Sequence, residues 1–446
     1  MIVGADWAVT AALDEPRRDW AVRVEDGLID DSGTAGELRA RHPGDDYCDG
    51  AGCVLLPGFV NSHVHLYGVL AHGVPAPAAP IADFWGFLDD YWWPLVENAL
   101  DHEMIAAAAA WVTADLAASG TTSFFDILEA PNALDDALFA EREAVAGSGL
   151  RGVLSFEATE RMGAANGQAG LAENVRFIEA CRAAHGSTGG ASRVSGAMSI
   201  HTTFTCGEAF IRQAFETAAG LDVLCHAHVN EGVHEGRWCE EHHGMRTLEF
   251  YDRLGVASPR FQASQCVQLS PREADIIADS GIRVSHMPLS NCEVGGGIAP
   301  VVEMLERGVT VGLGSDGYIN DMFAVMRGAF LLHRAATLDP GAISAAAVLH
   351  LATEGAARTI GLERVGRLEP GWHADLQLVN IGGPRGLPTP VEAHNLVDQL
   401  VLWRSGGDVT KVMVGGDWIV EGGEVIGADL EQLRAHTLEQ AARLWS

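Results

Sequence analysis

Residues 53–68 read CVLLPGFVNSHVHLYG, an apolar run that ends in two histidines one residue apart. In an extended strand the side chains at i and i+2 share a face, so His63 and His65 point the same way from the strand's end. Taken alone, the pair is equally a metal-binding motif or two polar residues at a strand terminus. The sequence around it decides between the two.

Seven more β-rich runs follow: TTSFFDI (121–127), RGVLSFEA (151–158), RVSGAMSI (193–200), LDVLCHAHV (221–229), RFQASQCV (260–267), IRVSHMPL (282–289) and VTVGLGSD (309–316). Between them lie amphipathic stretches such as LAENVRFIEACRAA and PREADIIADSG, the latter with Ser270 and Pro271 placed to start a helix. Eight strands alternating with helices predict an α/β fold, a (β/α)8 TIM barrel over residues 57–365. Such barrels carry their chemistry at the C-terminal ends of the strands. The flanks, residues 1–56 and 366–446, contain alternating segments such as WAVRVEDGLIDDSG and VTKVMVGGDWIVEGGEVIG with D-G, G-G and G-D turns. They predict a small β-sandwich built jointly by both chain ends, with a helix at the C-terminus.

Composition narrows the function. Sixty acidic against 29 basic residues give a net charge of −31, which repels nucleic acid and anionic membrane surfaces. No apolar run reaches the length of a membrane span, and the start MIVGADWAVT lacks the basic residues of a signal peptide. A cytoplasmic protein acting on a small molecule is expected. The eight cysteines form no C-x-x-C pair and read as reduced, space-filling thiols. Lys411 is the single lysine of the chain and lies far from the barrel strands. Schiff-base chemistry and lysine-bridged two-metal sites are thereby disfavoured.

Placed on the barrel, strand 1 ends in His63 and His65, strand 4 runs into His201, strand 5 carries HAHVNEG with His228 and then Glu231, and strand 8 ends in Asp316. A histidine in a barrel also serves as core, and an aspartate before a glycine also caps a turn. The convergence of imidazoles and a carboxylate on one rim is what favours a divalent zinc or iron with a position left for water.

The stretches PGFVNSHVH, IHTTFTC, HVNEG, HMPLSN, GGGIAPV, GLGSDG and GRLEPGWHADLQLV together resemble the amidohydrolase superfamily, in its branch of cytosine- and guanine-deaminase-like and triazine-hydrolase-like proteins. FEATERMG and GSDGYINDMF are similar to the aminohydrolases associated with selenium metabolism. The resemblance covers essentially the whole chain. It implies one divalent ion, zinc before iron, on His63, His65, His228 and Asp316, with Glu231 moving protons and His201 contacting the substrate. It also implies a homodimer and hydrolytic deamination of an aminated N-heterocycle such as a purine, pterin, pyrimidine or triazine. Opening of a cyclic amide, displacement of a ring halide, and an inactive binding protein are the alternatives.

Around this set stand residues with less fixed roles. Trp85 and Trp92, in IADFWGFLDDYWWPLVENAL, either pack a helix on the barrel or stack on a flat ring. Arg161 either binds a substrate oxygen or pairs with a neighbouring acid. His226, one layer below His228, reads as packed core, and His234, His242 and His243 as solvated.

One position departs from the family's pattern. Where a histidine usually follows strand 6, this chain has Gln265 in SQCVQLS. Glutamine forms hydrogen bonds but carries no proton. It is a tolerated polar substitute, a reader of a different substrate edge, or a mark of lost activity. Lowering the pKa of water from about 15.7 to about 7 on a metal amounts to about 12 kcal/mol, against roughly 3–5 kcal/mol for a general acid or base. Since the larger contribution is retained, an active enzyme is expected, with proton traffic on Glu231 and Asp316 and His286 as a local substitute.

Overall fold

The computed structural model describes residues 1–72, 81, 83–184, 193–317, 319–382 and 389–446. From the N-terminus come β1 (Ile2–Ala8), β2 (Arg17–Glu25), β3 (Leu28–Thr34) and β4 (Tyr47–Pro57). The barrel strands follow: β5 (Phe59–Val64), β6 (Thr121–Leu128), β7 (Arg151–Ala158), β8 (Val194–Gly196), β9 (Met198–Ile200), β10 (Cys225–Val229), β11 (Phe261–Gln265), β12 (Arg283–His286) and β13 (Val311–Leu313). The chain then returns to the first sheet with β14 (Leu376–Asn380), β15 (Val409–Val414), β16 (Asp417–Glu421) and β17 (Glu424–Val425).

The barrel strands run parallel in the order β13-β12-β11-β10-β9-β7-β6-β5, with β8 also paired to β7. β8 and β9, separated at Ala197, share one position, so eight strand positions are filled and the sheet is a nearly closed (β/α)8 barrel. Closure between first and last strands rests on the bridge Val64–Asp316 and on the His63 carbonyl, which accepts from the backbone N–H groups of Ser315 and Asp316, each at 3.0 Å. The helix expected after Ser270 begins there: Ser270 Oγ accepts from Glu273 N at 3.2 Å, and the Glu273 carboxylate accepts from Ser270 N at 2.8 Å.

The other sheet has the order β17-β16-β15-β14-β4-β1-β2-β3, antiparallel except where β1 meets β4. Val3, Val22, Ile29, Leu55, Leu376 and Met413, drawn from strands across the sheet, share one apolar core. Gly27 and Ile29 bond the segment that leads into β14, so the sheet folds over on itself.

The opening apolar run is two strands. β4 stays in the folded sheet and β5 enters the barrel, with Gly58 at the crossing, where a Cβ would overlap the Thr122 side chain. The C-terminal helix Leu430–Leu444 lies along the barrel helix His102–Ala118 instead of the sheet: Thr437 Oγ1 donates to the Ala107 carbonyl at 3.2 Å, and Trp445 Nε1 to the Leu70 carbonyl at 2.9 Å.

Asp375, at the entry to β14, is buried and accepts two bonds from the Arg151 guanidinium at the start of β7, at 3.0 and 3.1 Å, as well as the Gly415 N–H at 2.8 Å. Removing one partner of a buried pair leaves the other charge uncompensated. Arg151→Ala is therefore expected to cost about 3–5 kcal/mol, measured as lower thermal and urea midpoints. An unchanged midpoint would show that the junction does not depend on the pair.

Candidate functional site

The C-terminal ends of the barrel strands surround a cavity of about 760 Å³, which His65, His201, His228, Glu231, Gln265 and Asp316 all line. β5 delivers His63 and His65 to one face, their ring centroids 5.0 Å apart. β10 brings His228 to 5.1 Å from His63 and 5.5 Å from His65. One ligand nitrogen from each of the three lies within 4.8 Å of the others. Asp316, just past β13, places Oδ1 3.3 Å from His65 Nε2 and 3.7 Å from His63 Nε2.

The surroundings fix the rings. His65 Nδ1 donates to the Ile127 carbonyl at 2.6 Å, and His228 Nδ1 to Glu157 Oε1 at 2.7 Å. A carbonyl or carboxylate oxygen only accepts, so each of these nitrogens carries the proton and leaves a lone pair on Nε2. His63 is fully buried, and neither of its nitrogens has a hydrogen-bond partner among the described residues. Buried polar atoms are nearly always paired, and His63 lacks a partner at both ring nitrogens, which stand beside the free Nε2 atoms of His65 and His228 and a carboxylate. Burial lowers all three imidazoles, His63 to about 3, so they stay neutral. Burial would raise Asp316, but contact with His63 and the nearby His65 and His228 holds it well below the usual carboxylate range. Neutral imidazoles with free Nε2 atoms and an ionised carboxylate are a donor set for a divalent cation.

Glu231 follows β10, buried and facing the cavity, and no hydrogen bond from the described residues engages its carboxyl. Burial, then the Asp316 charge, raises it well above the usual range. Its loop is anchored by Asn230, whose backbone N–H donates to Glu235 at 2.5 Å and whose side-chain amide donates to Glu273 at 2.8 Å. His201 also faces the cavity, with Nδ1 2.8 Å from Thr205 Oγ1, and burial pushes it well below its ordinary value. His226 lies deeper, between Ser199 Oγ at 2.8 Å and Ser264 Oγ at 2.9 Å.

Other expected residues are placed differently. Trp92 lines the cavity, whereas the Trp85 ring stacks on His234 at 4.3 Å and is not among the lining residues. His234 is thus half-buried, as is His243, which stacks on Phe250 at 3.9 Å, whereas His242 is exposed. Arg161 is held behind the wall by Glu129 at 2.5 Å, Asn98 at 2.8 Å and Glu97 at 3.0 Å, with its guanidinium over Trp93. These partners engage three of its five N–H donors, and Arg161 is not among the residues that line the cavity. His286 is buried at the end of β12 with Nε2 3.1 Å from His333 Nε2, and it does not reach the cavity. Glu157, Ser290 and Asn291 were not singled out from sequence. Glu157 carried a signal there as an acidic residue at the inward end of a barrel strand, and Ser290 and Asn291 stand in the stretch HMPLSN that carries the resemblance.

The model of the amidohydrolase family matches residues 54–419. The chain is 34% identical over 409 residues to the 5'-deoxyadenosine deaminase of Methanothermobacter thermautotrophicus, covering 89% of this chain and 90% of that protein. It is 33% identical over 428 residues to the 5-methylthioadenosine/S-adenosylhomocysteine deaminase of Desulforudis audaxviator, covering 95% and 94%. Its fold matches an adenosine deaminase from Xanthomonas campestris with bound zinc at a TM-score of 0.87 and 24% identity, over 100% of this chain and 98% of that one. It also matches atrazine chlorohydrolase from Arthrobacter aurescens complexed with zinc, at a TM-score of 0.85 and 23% identity over 99% of each chain.

Partners that orient a ligating imidazole typically contribute ten- to hundredfold to metal affinity. Glu157→Gln is expected to weaken divalent-ion affinity by about tenfold or more in a chelator competition. Wild-type affinity in this variant would remove the orienting role assigned to Glu157.

Proposed function

The chain belongs to the amidohydrolase family, and we propose that it is a zinc-dependent deaminase that replaces the exocyclic amino group of an adenine nucleoside by oxygen and releases ammonia. The observation that carries this reading is the fully buried His63, without a hydrogen-bond partner at either nitrogen among the described residues, beside the free Nε2 atoms of His65 and His228 and the carboxylate of Asp316. These four residues would hold the ion, which when bound supplies a water of lowered pKa as nucleophile.

The remaining chemistry belongs to the chain's own groups. Glu231, raised by burial and without a hydrogen-bond partner among the described residues, is suited to carry two protons in turn, the first from the nucleophile to a ring nitrogen and the second from the hydroxyl gained by the ring carbon to the departing amino group. His201, its Nδ1 engaged by Thr205, keeps Nε2 for the substrate. Trp92, with Phe87 stacked 5.6 Å away, gives the cavity an apolar wall for a flat ring. Among the described lining residues there are carboxylates but no lysine or arginine, which favours a nucleoside over a nucleotide. The deaminases of 5'-deoxyadenosine and 5-methylthioadenosine to which the chain is similar support the same substrate class.

The zinc-loaded protein is expected to release one ammonia per 5'-deoxyadenosine consumed, to lose that activity to a chelator, and to regain it with Zn²⁺. Glu231→Gln should lower kcat by about 10²–10⁴ with zinc content unchanged. Consumption of the nucleoside without ammonia, or near-wild-type turnover by Glu231→Gln, would count against the reading. Adenosine monophosphate should be at least about a hundredfold poorer in kcat/KM than adenosine, since its phosphate meets no cationic partner; equal turnover would refute the charge argument.

A further inference from the structure

Gln265 closes β11 in an unusual conformation. Its φ is +72°, that of Cys266 is +49°, and such left-handed backbone is disfavoured for residues with a Cβ. The conformation places a fully buried amide beside Asp316: Gln265 Nε2 donates to Asp316 Oδ2 at 2.9 Å. A carboxylate has no hydrogen to give, so the amide must present nitrogen and not oxygen on that side. Gln265 Oε1 then faces away and accepts from Asn291 Nδ2, itself fully buried. Ser290 Oγ donates to the same Asp316 Oδ2 at 2.8 Å, and the Gly317 N–H donates to Oδ1 at 3.0 Å. Oδ2 is thus doubly engaged on the side away from the imidazoles, while Oδ1 stands 3.3 Å from His65 Nε2.

We propose that Gln265 is a positioning residue: its amide, held by Asn291, aims the Asp316 carboxylate at the ion bound by His63, His65 and His228, and it acts through Asp316 instead of reading the substrate. This rests on the reading of Asp316 as a metal ligand given above. It accounts for a non-titrating side chain at this position. A glutamine keeps one hydrogen-bonding polarity at every pH, so its N–H stays directed at Asp316 Oδ2 while Asn291 holds its oxygen.

The test compares Gln265→Met, which keeps the volume and removes the amide, with Gln265→Glu, which keeps the shape and sets carboxylate against carboxylate. Zinc affinity is measured by chelator competition, and kcat and KM on 5'-deoxyadenosine and 5-methylthioadenosine with zinc saturating. Gln265→Met is expected to weaken zinc binding about ten- to hundredfold and to lower kcat by the same factor on both nucleosides, with KM moving less than about twofold, and Gln265→Glu to weaken binding further. Circular dichroism of the zinc-free proteins checks folding, and Gln265→Met decides the matter if Gln265→Glu does not fold. Wild-type zinc affinity in Gln265→Met, or KM changes that differ between the two nucleosides, would overturn the proposal. Asp316→Asn separates the premises: undiminished zinc affinity there refutes Asp316 as a ligand, whereas its loss together with wild-type affinity in Gln265→Met refutes only the role of Gln265. If neither nucleoside is turned over, the substrate reading fails and the zinc affinities alone decide.

Discussion

A polar ring sealed from water with no hydrogen-bond partner is a costly object, and among the described residues His63 is such a ring. It also stands at the seam of the barrel. Its carbonyl accepts from Ser315 and Asp316, and its own N–H and that of Ser315 both donate to Asn61 Oδ1. Gly314 packs so closely on His63 that a Cβ would lie 2.9 Å from the His63 Cβ. Closing the barrel and assembling the donor set are therefore one event: the strand that carries two imidazoles meets the segment that carries the carboxylate. A cation held there would fasten the first strand to the last, where backbone pairing between them is sparse.

How much of this was legible in the sequence depends on how local each constraint is. The period of two put His63 and His65 on one face, and the alternation of strands and helices put His201, His228 and Asp316 at strand ends, because both follow from backbone geometry alone. Pairings between distant segments left no such trace. Arg161 meets Glu129 and Glu97, 32 and 64 residues earlier, and nothing in ATERMG indicates that these acids hold it. His286 sits at its strand end as the period requires, yet His333 from the helix Met322–Thr337 comes to meet it. In the aromatic segment, a π-helical turn over Phe87–Trp92 breaks the 3.6-residue period that would have said which ring faces the cavity.

The acidity of the chain looks different from inside. Glu235 accepts from Thr203 and Asn230, and Glu273 from Asn230, Arg246, Leu248 and Ser270, both buried beneath the loop that carries Glu231. These carboxylates tie the loop down through backbone and side-chain donors, as buried charges require. They are part of the scaffold, and the excess of acids over bases in the whole sequence gives no hint of it.

Against that background the contrast between the two carboxyls at the cavity becomes informative. Asp316 is ionised and accepts three hydrogen bonds, with its nearer oxygen aimed at the imidazoles. Glu231, a short way off, accepts none from the described residues and is raised by burial and by the Asp316 charge. A ligand is best immobile and charged; a proton carrier is best unpaired, with a pKa near the working pH. The environments push the two carboxyls in opposite directions, and the donors that hold Asp316 are what permit it. Were Gln265 and Ser290 absent, Asp316 would keep only the Gly317 N–H as a hydrogen-bond donor among the described residues, and its Oδ2 would be left unheld.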